Sequence, residues 1–258
     1  MYTDYNGLVD FIRENGSKVG PRGKLTTEVI GATITVPGDL FIFRSGANRR
    51  MIAMETFMLL GGFFDLDAFS YVCSAKAVEM LSKQSDYGPR VMQKGNFDRA
   101  VVELLKDEAT RRSIIYFNNR NQPHDDIACT TSIQFFVRDN TISAVVNMRS
   151  WDVVFGLPAD LFMFANLLQL MSRRGRGYHI GDIIVQVGSL HLYESTEELA
   201  FQKDLATFET NYFYRHTDDP DFFVKAVDEL KTLKSSPLDF WNFKSQDGDY
   251  YPIHIGGI

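Results

Sequence analysis

The chain has 258 residues, 45% hydrophobic and 23% charged, which is ordinary globular material and long enough for one large domain. A net charge of −6 argues against a protein that coats nucleic acid, because polyphosphate binding needs a basic stripe. Two cysteines, Cys73 and Cys129, cannot build a disulfide framework, and neither lies in a metal-ligand spacing.

In chain order, Leu8, Val9, Phe11 and Ile12 mark an amphipathic helix that Gly16 stops. The same N-terminal segment lacks the basic and apolar regions of a signal peptide. TTEVIGATITV predicts a strand with a bulge at Gly31, and NRRMIAMETFMLLGG a helix ended by its glycine pair. Further helices are expected over Asp67 to Lys83 and FDRAVVELLKDE. RSIIYF, TTSIQFFVRD and TISAVVNM then read as strands, the last two joined by a hairpin turn at Asp139-Asn140.

Pro158 sits where a helix starts, before LFMFANLLQLM, and GDIIVQVGSLHLY predicts another strand. Ser195 with Glu198 gives a capping box for STEELAFQKDL, and DPDFFVKAVDELKTL supplies a last helix before the apolar tail YYPIHIGGI. The alternation of types predicts an α+β layered fold with a large mixed sheet flanked by helices. The absence of a Pro/Ser-rich linker predicts a single domain over residues 1–258. No apolar run approaches the roughly 18 residues needed to span a bilayer. The expected setting is cytoplasmic and reduced, without metal, membrane or nucleic-acid partners.

Several residues could carry chemistry. A free cysteine such as Cys129 packs as a small hydrophobe unless neighbouring cations lower its pKa, and Arg111, Arg112 and Arg149 are the candidates to do so. Asp160 opens an apolar helix, where it is either a charge favoured by the helix dipole or a carboxyl lining a dry pocket. His191 and Tyr193 alternate on one strand face, as a buried pair or as ligands to a polar group. RRGRG, from Arg173, reads as a solvated turn.

Taken in order, these segments resemble the thymidylate synthase family over about three quarters of the chain. The resemblance is carried by Ala128-Cys129-Thr130 with Gln134-Phe135, by Met148-Arg149-Ser150-Trp151-Asp152 through Phe155-Gly156-Leu157-Pro158-Ala159-Asp160, and by Val187-Gly188-Ser189-Leu190-His191-Leu192-Tyr193. VVNMRS, DVVFG and VGSLH are more similar to the phage-type deoxycytidylate hydroxymethylases than to the synthases. The resemblance implies the thymidylate synthase fold, with sheets back to back in a homodimer.

For the site, it implies Cys129 as nucleophile and Glu55, Asp160 and Tyr87 as further catalytic residues. Arg22, Arg111, Arg112, Gln134, Arg149, Ser150, Asp152, Asp160, His191 and Tyr193 would bind nucleotide, with Arg111 and Arg112 reaching the partner's phosphate. Glu55, Asp152, Gly156, Leu157 and Ile258 would hold 5,10-methylenetetrahydrofolate as cosubstrate.

Asp160 stands where a synthase has asparagine. Uracil presents an N3–H donor beside an O4 acceptor, which an amide matches; cytosine reverses both, and a protonated carboxyl matches that pattern. The expected substrate is therefore dCMP, hydroxymethylated at C5. The alternatives are CMP, as in nucleoside-antibiotic-type pathways, or a non-catalytic nucleotide-binding relative. Thr130 for the synthase histidine, Met148 for its glutamine, and apolar residues from Phe57 to Leu60 for its Leu-Leu-Trp-Phe fit the hydroxymethylase side.

Overall fold

The computed structural model describes residues 2–43, 47–81, 86–93, 95–117, 127–200, 206–209, 221–232, 245–246 and 253–256. Its strands are β1 (Tyr2–Thr3), β2 (Ser17–Val19), β3 (Thr26–Pro37), β4 (Leu40–Phe43), β5 (Ile114–Tyr116), β6 (Thr130–Arg138), β7 (Thr141–Met148), β8 (Trp151–Asp152), β9 (His179–Tyr193), β10 (Ala206–Glu209), β11 (Ser245–Gln246) and β12 (Ile253–Gly256). The helices are α1 (Tyr5–Asn15), α2 (Arg49–Gly61), α3 (Leu66–Phe69), α4 (Ala75–Leu81), α5 (Asn96–Lys106), α6 (Gly156–Arg174), α7 (Glu197–Ala200) and α8 (Phe222–Thr232).

The main sheet runs β1-β12-β3-β9-β7-β6-β5, with β2 added against β3 and β8 against β9. β7 and β8 pair with β9 in parallel and the other pairings are antiparallel, so the sheet is mixed as expected. A parallel neighbour needs a long crossover, and α6 lies in it. In β7 the residues alternate strictly between partly exposed and buried, so one face of the sheet meets the core. Almost every residue of α6 is buried there, which explains a helix that is apolar all round.

Local chemistry accounts for most boundaries. Asp4 caps α1 by accepting from the Gly7 N–H, and Tyr5, Leu8, Val9 and Ile12 form its buried stripe. Asn48 caps α2, which ends at Gly62 in the left-handed conformation. Asp139 and Asn140 both take positive φ, 49° and 58°, as a two-residue hairpin requires.

Three expectations need correction. Gly31 has φ 77°, yet Ile30 still pairs Ser189 and Ala32 still pairs Val187, so the strand kinks without an inserted residue. The helix expected from Asp67 is broken into α3 and α4, because Ser74 starts a new helix by accepting from the Ala77 N–H; Lys83 lies outside the described residues. Ser195 lies inside a 3₁₀ turn, Glu194–Thr196, instead of at a cap, and α7 follows it directly; the rest of that expected helix, from Phe201, lies outside the described residues.

Candidate active site

Three backbone segments meet at Arg149, between the carboxyl end of β7 and the amino end of β8. The Arg149 N–H donates to the Cys129 carbonyl at 2.9 Å, and the Ser189 N–H donates to the Arg149 carbonyl at 3.2 Å. A side chain at Gly188 would put its Cβ 2.8 Å from that same carbonyl, so only glycine permits the approach. β8 then runs beside β9, pairing Trp151 with Leu190 and Asp152 with His191. Asp152 fixes the turn into α6: its two oxygens accept the N–H groups of Val154 at 3.0 Å and Phe155 at 3.2 Å.

Cys129 thus lies just before β6, Ser150 and Asp152 after β7, Gly156, Leu157 and Asp160 in the first turns of α6, and His191 and Tyr193 at the end of β9. Burial pushes the Cys129 thiol up; Arg149 and Arg22 pull it down, and Asp160 and Asp152 push it further up. The arginine effect expected from the sequence is therefore real but loses to desolvation. Arg111 and Arg112 are not among the groups acting on it.

Asp160 is raised by burial and by two neighbours at once. Burial holds its carboxyl well above the usual range, the negative charges of Glu55 and Asp152 add to this, and the Trp151 N–H opposes it. That N–H, from Nε1, donates to Asp160 Oδ2 at 2.9 Å. Trp151 is only 1% exposed, and sequence reasoning gave it no role. The available signal was an indole donor two residues past Arg149, in a strand with no other reason to bury a polar tip.

Burial also raises the Tyr87 hydroxyl, with Asp160, Cys129 and Glu55 contributing and the neighbouring Thr130 hydroxyl opposing. Tyr87 is thus coupled to Asp160, Cys129 and Glu55, and Glu55, on α2, is coupled to Asp160. Cys73 is drawn to the edge of the same group: burial and the charge of Glu55 push its thiol up to about 11.

On the opposite side, His191 is 5% exposed, with Nδ1 3.2 Å from the Ser189 carbonyl and Nε2 buried without a hydrogen-bond partner among the described residues. The Tyr193 ring meets the imidazole edge-on at 4.9 Å. Desolvation raises the Tyr193 hydroxyl, and Arg22 reaches it as well as Cys129. A buried nitrogen without a partner among the described residues, beside a half-buried phenol, has the chemistry to pair with a hydroxyl.

Arg149 spends Nε and Nη2 on the Ile127 carbonyl, at 3.2 and 2.8 Å, which leaves other guanidinium donors for an anion. Gln134 is not brought to this cluster by any bond; its amide donates to the Arg111 carbonyl at 2.8 Å. Arg111 and Arg112 are exposed and border a cleft that shares no lining residue with the cluster. Ile258 lies outside the described residues. Ile255, just before it, is in β12 between β1 and β3. Among the described residues no group of acids, histidines or cysteines could hold a metal ion, and no helix is long and apolar enough to cross a membrane.

Comparison with known proteins agrees with this arrangement. Residues 86–212 match the family model described as thymidylate synthase. The deoxycytidylate 5-hydroxymethyltransferases of Enterobacteria phages T4 and T2 are each 32% identical over 206 residues, covering 70% of this chain and 81% of theirs. The thymidylate synthase of Bacillus mojavensis is 26% identical over 151 residues, 57% of this chain and 53% of its own. With an ordered set of motifs converging on one thiol and a relative matched over most of its length, the chain belongs to the thymidylate synthase family.

Proposed function

We propose that this protein is a folate-dependent pyrimidine nucleotide C5 hydroxymethylase, converting dCMP, 5,10-methylenetetrahydrofolate and water to 5-hydroxymethyl-dCMP and tetrahydrofolate. The observation that supports this most is Asp160, whose burial pushes its carboxyl well above the usual range and so favours the protonated form. As an acid it donates to cytosine N3 and accepts from the 4-amino group. Uracil would leave buried polar groups unmet, at about 1–3 kcal/mol each.

In this reading Cys129 loses its proton and its sulfur adds to C6, which makes C5 a carbon nucleophile. C5 takes the methylene carbon from the folate and then loses its proton, and breaking the carbon–nitrogen bond to tetrahydrofolate leaves an exocyclic methylene on the base. Water adds to that carbon, and the sulfur leaves C6. Glu55, close enough to Asp160 to raise its pKa, is placed to orient the water. Tyr87, whose hydroxyl feels Asp160, Cys129 and Glu55, borders the same space.

Arg22 and Arg149, with Ser150, would hold the phosphate. His191 Nε2 and Tyr193 would take the 3′-hydroxyl. For the folate, Asp152, Gly156 and Leu157 lie in the turn into α6, and Phe155, 50% exposed on it, offers an apolar face to a flat ring.

The assembly that fits is a homodimer with shared sites. Ile30 and Tyr116, 68% and 56% exposed, mark the sheet as unfinished on its outer face, and Arg111 and Arg112 would complete the partner's phosphate site. The test is product analysis by mass after incubation with methylenetetrahydrofolate and dCMP, CMP or dUMP. An added CH₂O on dCMP is the expected result; preference for CMP would redirect the reading to a ribonucleotide enzyme, and a methyl on dUMP would overturn it.

A further inference from the structure

The hydrogen bond from Trp151 to Asp160 does more than satisfy a buried indole. An indole N–H is a donor only, and leaving it unpaired inside the protein costs about 1–3 kcal/mol. Trp151 is 1% exposed and the acceptor it has is Asp160 Oδ2, at 2.9 Å. The approach is built into the fold. Gly156 and Asp160 are one turn apart on α6, and a Cβ placed on Gly156 would lie 3.5 Å from both Asp160 Oδ2 and the indole Cδ1.

A carbonyl oxygen accepts better than the oxygen of a hydroxyl. With the indole donating to Oδ2, the acid's proton is better placed on Oδ1, and the carboxyl shows one fixed donor and one fixed acceptor. We propose that Trp151 is a base-selecting positioning residue: its N–H locks the handedness with which Asp160 meets the pyrimidine. Cytosine then docks with N3 on Oδ1 and its amino group on Oδ2. Uracil requires the proton on Oδ2, against the indole. This rests on the reading of Asp160 as the group that recognises the base.

The same logic extends to an amide. In Asp160→Asn the indole would hold the amide oxygen, turning the –NH₂ toward N3, which is still the pattern cytosine needs. Only removing the indole frees the amide to flip to the uracil pattern.

The experiment measures dissociation constants of dCMP and dUMP by calorimetry, and C5-tritium release from both, for the wild type, Trp151→Phe, Asp160→Asn and the double variant. Trp151→Phe keeps an aromatic body in the cavity and is expected to lower the dCMP-to-dUMP preference about tenfold, the worth of one hydrogen bond. Asp160→Asn alone keeps a preference for dCMP, and the double variant shifts toward dUMP at least tenfold beyond the sum of the single effects. A purely structural Trp151 would weaken both nucleotides alike, and unchanged ratios would overturn the proposal. If Trp151→Phe does not fold, Asp160→Asn still decides, since a full switch to dUMP with the indole in place is incompatible with locking. A wild type that binds dUMP as well as dCMP would sink the cytosine reading, whereas the coupling of the two residues is judged separately from the non-additivity.

Discussion

The Cys129–Asp160 cluster and the Arg111–Arg112 strip both carry ionisable side chains, yet they behave as opposites. In the cluster each ionisable group feels the others: Cys129, Asp152, Asp160, Tyr87 and Tyr193 are all raised, each chiefly by burial. In the strip the two arginines face solvent, and the nearest fixed partner, Gln134, binds the backbone of Arg111 and not its charge. A charge in water is screened and contributes little, whereas the same charge in a dry site reshapes its neighbours. The cluster therefore gathers its ionisable groups out of water within one chain, and the strip keeps its two charges in solvent.

The contrast can be broken by substitutions that act on different constants. Cys129→Ser should lower single-turnover formation of 5-hydroxymethyl-dCMP by on the order of 10⁴-fold while dCMP still binds, because only the bond-forming atom is lost. Retained turnover would remove the nucleophile from the cluster. Arg111→Ala is expected to raise KM for dCMP about tenfold with a small change in kcat, the loss of one charged hydrogen bond. Mixing it with Cys129→Ser should then restore activity, as one site of each mixed dimer has both groups. No restoration would place the strip outside any shared site.

Within the cluster, Arg149→Ala should push the Cys129 thiol further up, since Arg149 is the larger of the two groups that lower it. Alkylation of Cys129 by iodoacetamide at fixed neutral pH should slow severalfold and recover at higher pH; a faster reaction would reverse the sign. The smallest effect concerns stability. Asp160 has its folded pKa raised, so its favourable contribution is complete below the ordinary carboxylate range and is lost as pH rises toward the folded value. Asp160→Asn, neutral throughout, should gain about 2–4 °C in Tm at pH 8 and less at pH 5. An equal gain at both would mean that Asp160 carries no pKa shift.

Much of this was legible in the residues. Alternation in TISAVVNM, the Asp139-Asn140 turn, the stripe of α1 and the glycines that end α2 are local signals, because backbone dihedrals and side-chain period are set within a few residues. Cys129, Arg149, Asp152, Asp160, His191 and Tyr193, which the structure brings together, were legible as motifs. Ser195 was misplaced at a cap, and the split between α3 and α4 was missed, because Ser residues cap or do not cap according to the backbone that tertiary packing allows.

By itself the sequence determined the element types, the family likeness and the identity of the carboxyl at position 160. Only the tertiary structure decided that desolvation outweighs the arginines at Cys129, that Glu55 reaches Asp160 from another helix, that His191 Nε2 has no partner among the described residues, and that Trp151 donates to Asp160. The physical reason is common to all four. Dielectric environment and hydrogen-bond pairing depend on which distant segments are packed together, and residues such as Glu55 and Asp160 become neighbours only once the sheet and helices have assembled.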